Sequence, residues 1–396
     1  MFASRTNWPL EPNRFAQALE AHRRSGKPLI DLTASNPTTC GFDYPSREIL
    51  TALGDTRALQ YSPESKGIRS AREAVAAYYA GRPGFGICEG SVDPEQIILT
   101  AGTSEAYSYI FRLLCEPGDE ILFPAPSYPL LEYLAGLNDV RLVPYSLFYD
   151  HGWHVDIGSL RAAITPRSRA VLVVHPNNPT GSFIKPSEAT ALREICAEHA
   201  MAIIADEVFL DFVAESKPHA TFAFTNEVLT FTLSGLSKIS ALPQMKLAWL
   251  VANGTENLLR PALARLEIIA DTFLSPGTPV QLALPKLLEL RQAMQSQIHT
   301  RMRANLAHLD SAIAGQKSIS RLDREGGWYA VLRVPATQPD EELAVALLGE
   351  RGVLVHPGRF FDFPQDGFLV VSLIAPEPEF REGIARLVEF IGACGV

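Results

Sequence analysis

Five short segments hold residue types that could do chemistry. In SGLSKISALPQMK, residues 234–246, Lys238 follows the apolar run 228–233 and sits among small residues. A lone lysine is ordinarily a solvated charge. At the buried end of a strand, desolvation lowers its pKa and leaves an amine able to form a Schiff base. In IIADEVF, residues 203–209, Asp206 ends another apolar run. Such a carboxylate either caps the following turn or pairs with a cationic ring nitrogen, because burying either charge alone is costly. VVHPNNPTG, residues 173–181, is a tight turn after a strand. Beyond turning the chain, it could aim the Asn178 amide at a phenolate oxygen. In LTAGTSEA, residues 99–106, a strand stops at a glycine and a helix opens at Thr103 and Ser104. Free N–H groups and the helix dipole make that an anion site, to which Lys246 could add a point charge. In PAPSYP, residues 124–129, Tyr128 is either core or a surface for a planar ring.

These segments need a scaffold that brings strand ends together. The spacing predicts strands at 97–100, 120–123, 140–144, 170–174, 202–205, 228–233 and 247–251. Several are unbroken apolar runs, as strands buried on both faces are. Helical patterns fall between them, at 104–115 behind a Ser cap and at 187–199 behind Pro186 and Ser187. This alternation predicts an α/β fold: a mostly parallel seven-stranded sheet sandwiched by helices. Ligands of such sheets bind outside the carboxyl ends of the strands. Both chain ends read differently. Residues 1–45 are rich in Pro, Asn and Thr. Residues 290–396 hold a helical pattern at 292–314, strands at 328–333 and 369–374, and a helix at 379–393. We therefore expect a large ligand-binding domain at 46–285 and a smaller α+β domain built from 1–45 and 286–396.

The 396 residues are 47% hydrophobic and 20% charged, globular proportions that exclude disordered, collagenous and coiled-coil proteins. Acidic residues exceed basic ones by 44 to 35, which leaves no electrostatic footprint for nucleic acid or anionic lipid. Five cysteines at 40, 88, 115, 196 and 394 form an odd set without a CxxC pair, which reads as a reducing compartment without structural zinc. The first fifteen residues have no apolar signal region and no stretch has the length of a membrane span, so a cytoplasmic protein is expected. GFGICEG, residues 84–90, lacks the third glycine of a dinucleotide fingerprint. The nine His show no metal-ligand spacing, and no metal is expected.

Taken together and in this order, the five motifs resemble the fold-type I pyridoxal-phosphate enzymes, specifically the class I/II (aspartate aminotransferase-like) aminotransferases. The resemblance runs from about residue 30 to the C-terminus. It implies pyridoxal 5'-phosphate as cofactor and a role for each motif. Lys238 matches the lysine that forms the aldimine and shuttles the proton. Asp206 matches the partner of the pyridinium nitrogen, Asn178 the donor to the ring O3′, Tyr128 the stacking aromatic, and Thr103 with Ser104 the phosphate cup. YSPESKG, residues 61–67, resembles the segment whose tyrosine reaches the neighbouring subunit's phosphate. Tyr61 thus implies a homodimer with shared active sites. The family's cis peptides match the bonds before Pro126 and Pro179.

The chain also departs from the family pattern. Phe209 stands where many relatives have a tyrosine that donates to O3′. Gly235 stands three before the lysine, where relatives often place Ser or Thr. Lys246 stands where an arginine usually grips the phosphate. The C-terminal strand reads FLVVSLIAP, and the relatives' carboxylate-binding arginine matches Val370. A two-pronged, charge-assisted contact is lost there. Arg359 is the nearest replacement in sequence, with Arg14, Arg301 and Arg303 further off. Ser35 replaces a glycine near the substrate, and Phe360, Phe361, Phe363, Trp328 and Tyr329 are either core or an apolar pocket lining.

The reaction implied is transamination between an amino acid and a 2-oxo acid. A carbon–sulfur β-lyase or other Cα/Cβ chemistry on the same fold is the alternative, since it uses the same Lys238 and Asp206. A non-catalytic effector domain would bring a DNA-binding segment that this sequence does not show. A hydrolase or dehydrogenase lacks its GxSxG or dinucleotide motif.

Overall fold

The structure is a computed structural model of one chain, and it describes residues 1–86, 90–214 and 219–394. Part of GFGICEG and Cys88 lie outside the described residues.

The main sheet is ordered Ile97–Thr100, Ala248–Asn253, Thr230–Gly235, Ala202–Asp206, Ser168–Val174, Glu120–Ala125, Arg141–Tyr149 and Trp153–Val155. The five strands from Thr230–Gly235 to Arg141–Tyr149 run parallel. The pairings at both edges are antiparallel. The sheet has eight strands rather than the expected seven. The extra one, Trp153–Val155, is three residues long, too short for its alternation to stand out in the sequence.

Alternation through this sheet explains its burial. Ala170, Leu172 and Val174 enter one apolar cluster, whereas Val171 and Val173 enter another. Successive side chains of a strand point to opposite faces, so both faces must be covered. Helices Thr103–Leu114 and Glu256–Phe273 cover the first face with Ile110, Phe111, Leu259 and Leu266. Helix Pro186–Glu198 covers the second with Leu192, Ile195 and Cys196.

The C-terminal part forms an antiparallel sheet ordered Ser320–Arg321, Tyr329–Arg333, Phe368–Ser372 and His356–Pro357. Near it Ile30–Asp31 pairs in parallel with Val353–Leu354. Helix Thr278–Ile313 starts fourteen residues before the predicted 292. Pro279 and Pro285 punctuate its start, yet Leu284, Leu287 and Leu288 already pack in the core there. At 36 residues it is about 54 Å long, and it continues into the cluster holding Met294, Ile298 and Met302. Cis peptides precede Pro126 and Pro179, as expected, and also Pro176. Cys40, Cys115 and Cys196 are free thiols. Among the described residues no helix is long and apolar enough to cross a membrane, and no cluster of His, Cys, Asp or Glu could hold a metal.

Candidate active site

The carboxyl ends of the parallel strands open into a cavity of about 270 Å³. Its wall brings together Ser35, Thr103, Ser104, Tyr128, Asn178, Asp206 and Lys238 from six separate segments of the chain. Register explains part of this: Val174, Asp206 and Leu233 lie side by side at the ends of three adjacent strands.

Lys238 lies in the short helix Leu236–Ile239, entered directly from strand Thr230–Gly235. Burial pushes its amine below the ordinary lysine range, and Asp206 opposes that only in part. Its Nζ sits 5.1 Å from the Trp328 ring centroid and 5.6 Å from that of Phe209, and it makes no ion pair with a described residue. Desolvation of this amine eases its deprotonation to the form that attacks a carbonyl.

Burial pushes Asp206 the other way, above the usual carboxylate range. Tyr107 opposes this by donating to Oδ2 at 2.8 Å, and the Val208 N–H donates to Oδ1 at 3.1 Å. The remaining acceptor capacity of this carboxylate suits a cationic N–H. Tyr107 escaped the sequence reading. The signal for it was present, since 103, 104 and 107 share one helix face.

The anion end is a helix terminus without a side-chain cap. Ser104, expected as the cap, lies inside the first turn of Thr103–Leu114, and Gly102 is the N-cap. Glu105 turns back to accept the Ala101 N–H at 2.7 Å. The N–H groups of Thr103 and Ser104 are thus left for a ligand. Lys246 is exposed and lines an adjoining cavity of about 400 Å³, which shares Ser35, Lys238 and Pro243 with the first. Asn178 is buried, with Oδ1 unpartnered. Tyr128 is 45% exposed and lines the same cavity, as a face awaiting a ring would be.

Pyridoxal 5'-phosphate fits these groups. The cavity offers an amine, a desolvated carboxylate, an uncapped helix terminus and a buried side-chain amide.

Two expected residues stand outside both cavities. Tyr61 is 78% exposed on this chain. Arg359 is exposed in the turn Gly358–Phe361 and lines neither cavity. Two of the other three candidates are engaged elsewhere, and Arg303 lines a different cavity. Arg14 pairs with Glu342, and Arg301 donates to the carbonyls of Cys40, Ile374 and Ala375. Val370 is fully buried opposite Val331 and His356. Among the described residues no guanidinium lines the main cavity. Of the aromatic group, Tyr329 lines the cavity, as does Phe209, while Trp328, Phe361 and Phe363 are core.

Gly235 has a steric cause. A Cβ there would stand 2.7 Å from Ala248 Cβ and 2.8 Å from Ala248 Cα on the paired strand. A Ser at this position does not fit the present strand spacing. The hydroxyls of Thr232 and Ser234 are buried without a partner.

Residues 27–387 match the sequence profile of aminotransferase class I and II. The chain belongs to this family. It is a pyridoxal-phosphate-dependent aminotransferase, and enzymes of this type move an amino group from an amino acid to a 2-oxo acid. It is similar to the glutamate-pyruvate aminotransferase AlaA of Escherichia coli, with 29% identity over 88% of this chain and 87% of that protein. Alanine aminotransferase of Mycobacterium tuberculosis is 29% identical over 96% of this chain and 88% of that one. Alanine aminotransferase from Pyrococcus furiosus superposes with a TM-score of 0.87 over 99% of this chain and 100% of that one, at 23% identity, which shows a shared fold.

Proposed function

We propose that Lys238 is the residue that carries the cofactor and moves the proton at the substrate carbon. The observation that carries this is the placement of Lys238 and Asp206 in one cavity, with desolvation pushing the amine down and the carboxylate up. Bound pyridoxal phosphate supplies the electron sink. The chain's residues supply the rest. Asp206, braced by Tyr107, holds the proton on the ring nitrogen. Thr103 and Ser104 receive the phosphate, with Lys246 as a point charge at its edge. Asn178 donates to the ring oxygen, and Tyr128 covers the ring. With no guanidinium lining the cavity among the described residues, the carboxylate of the substrate is held by neutral donors such as Ser35 and Asn178.

Residues 46–285 form the large domain in this reading, and 1–45 with 286–396 the smaller one, which lends Ser35 and Tyr329 to the cavity. Tyr61, exposed on a single chain, supports a homodimer in which it completes the partner's phosphate site. The reading places the enzyme in the cytoplasm, in keeping with its free thiols. Alanine and glutamate are the donors to try first, from the activities named for the similar enzymes. The carbon–sulfur lyase alternative gains no support from those relatives.

The test is a panel of amino acids and simple amines added to cofactor-loaded enzyme without a 2-oxo acid. Conversion of the absorbance spectrum to the pyridoxamine form by alanine or glutamate is expected. Conversion by amines alone, or release of ammonia and pyruvate from a cysteine conjugate without conversion, would overturn the reading.

A further inference from the structure

A third cavity, of about 260 Å³, shares no lining residue with either cavity described above. His299, Met302, Arg303 and Leu306 line it from helix Thr278–Ile313, at the i, i+3, i+4, i+7 spacing of one helix face. Arg324 lines it from the segment before Gly326, and Val213 adds to the apolar wall.

Among the described residues the charge in this cavity is one-sided. Other arginines enclosed as Arg324 is have acids: Arg72 has Glu95, Arg82 has Asp211 and Arg321 has Asp310. Among the described residues neither Arg324 nor the exposed Arg303 at the cavity's edge has one, and no described acid lines the cavity. Arg324 donates through Nη2 to the Gly327 carbonyl at 2.6 Å, while its Nε is buried without any partner. Burial and the nearby Arg321 lower its pKa to about 10. A desolvated guanidinium with an unmade hydrogen bond is costly unless something satisfies it. The chain as a whole carries a net charge of −9, so composition does not explain a basic cavity without an acid among its described residues.

We propose that this cavity binds a small oxyanion, a carboxylate or a phosphate, gripped by Arg324 and Arg303. A guanidinium fork matches both groups. Two cations lining one recess also raise the local anion concentration. The proposal stands apart from the roles assigned to the catalytic residues, since no residue is shared.

The test uses the full-length, cofactor-loaded enzyme, so that the phosphate site beside Lys238 is already filled. Inorganic phosphate and succinate are titrated separately by calorimetry into the wild type, Arg324→Met and Arg303→Gln. The expected result is one Arg324-dependent site per chain, weakened about tenfold or more by Arg324→Met and less by Arg303→Gln. Saturating anion should raise the melting temperature of the wild type and not that of Arg324→Met. Without anion, Arg324→Met should melt at or above the wild-type temperature, because it removes an unpaired buried charge rather than a structural bridge. The anion with the higher affinity identifies the source, and either one supports the site. Equal affinities in wild type and Arg324→Met, or no heat with either anion at about 10 mM, would overturn the proposal. So would a melting temperature that falls in Arg324→Met without anion, which would make Arg324 a structural residue.

Discussion

Replacing Tyr107 by Phe isolates one hydrogen bond at the centre of the site. The ring is buried, 3% exposed, and packs beside Phe111 at 5.9 Å, so Phe keeps the packing. What goes is the 2.8 Å donor to Asp206 Oδ2, which leaves the carboxylate only the Val208 N–H among described donors. A hydrogen bond to a charged group contributes about 1.5–3 kcal/mol, or roughly 10–150-fold in the ionisation equilibrium. The sign follows from what is lost. The ionised form loses a donor, so Asp206, already raised by burial, moves further up. For a carboxyl raised on folding, the folded state holds the proton more tightly than the unfolded chain. Its contribution to stability is full at low pH and is lost as pH rises from the unfolded value, 3.8, through the raised folded value. The cofactor-free variant should thus lose little at acid pH and most above the folded value. Carboxyl-carbon NMR of aspartate-labelled, cofactor-free protein, assigned with Asp206→Asn, reads the midpoint directly. Superimposable titrations of wild type and Tyr107→Phe would refute the reasoning.

Gly235→Ser should cost about 1–3 kcal/mol, because its Cβ overpacks against Ala248, and thermal unfolding reads the loss. Adding Ala248→Gly should recover only part of it, since the backbone α-carbon at 248 still stands 2.8 Å from the new Cβ. In the cofactor-free protein, the lowered amine pKa should make Lys238 the first lysine labelled by an acylating reagent as pH is raised toward 8. Labelling that tracks the bulk lysines would contradict the desolvation argument. Tyr61→Phe should loosen the cofactor by about three- to tenfold, measured by equilibrium dialysis, although Tyr61 touches nothing in the cavity of its own chain. Unchanged retention would remove the partner from the site.

The strand ends were legible because burial on both faces writes continuous apolar runs. The runs 97–100 and 202–205 coincide with strands to within a residue. The strand predicted at 228–233 lies at 230–235 because Ser234 and Gly235 pair with Trp249 and Ala248, while Val228 packs in the core ahead of it. The strand predicted at 140–144 runs on to Tyr149, paired with the short Trp153–Val155 strand, which only the fold brings alongside. Motif residues were legible because turn chemistry fixed their places. Tyr107 hid inside an amphipathic helix, where a buried tyrosine reads as core. Arg324 could not be read at all, since it meets His299 and Arg303 only through the fold. The missing arginine was legible as Val370, but its replacements were not: sequence proximity favoured Arg359, and the chain turns it to solvent.

The central claim is that Lys238 carries the cofactor, and borohydride reduction of the loaded enzyme, followed by digestion and mass spectrometry, tests it most directly. The added mass of the reduced cofactor should fall on the peptide containing Lys238 alone and vanish in Lys238→Ala. Its appearance on another lysine in the wild type, or on none, would contradict the account.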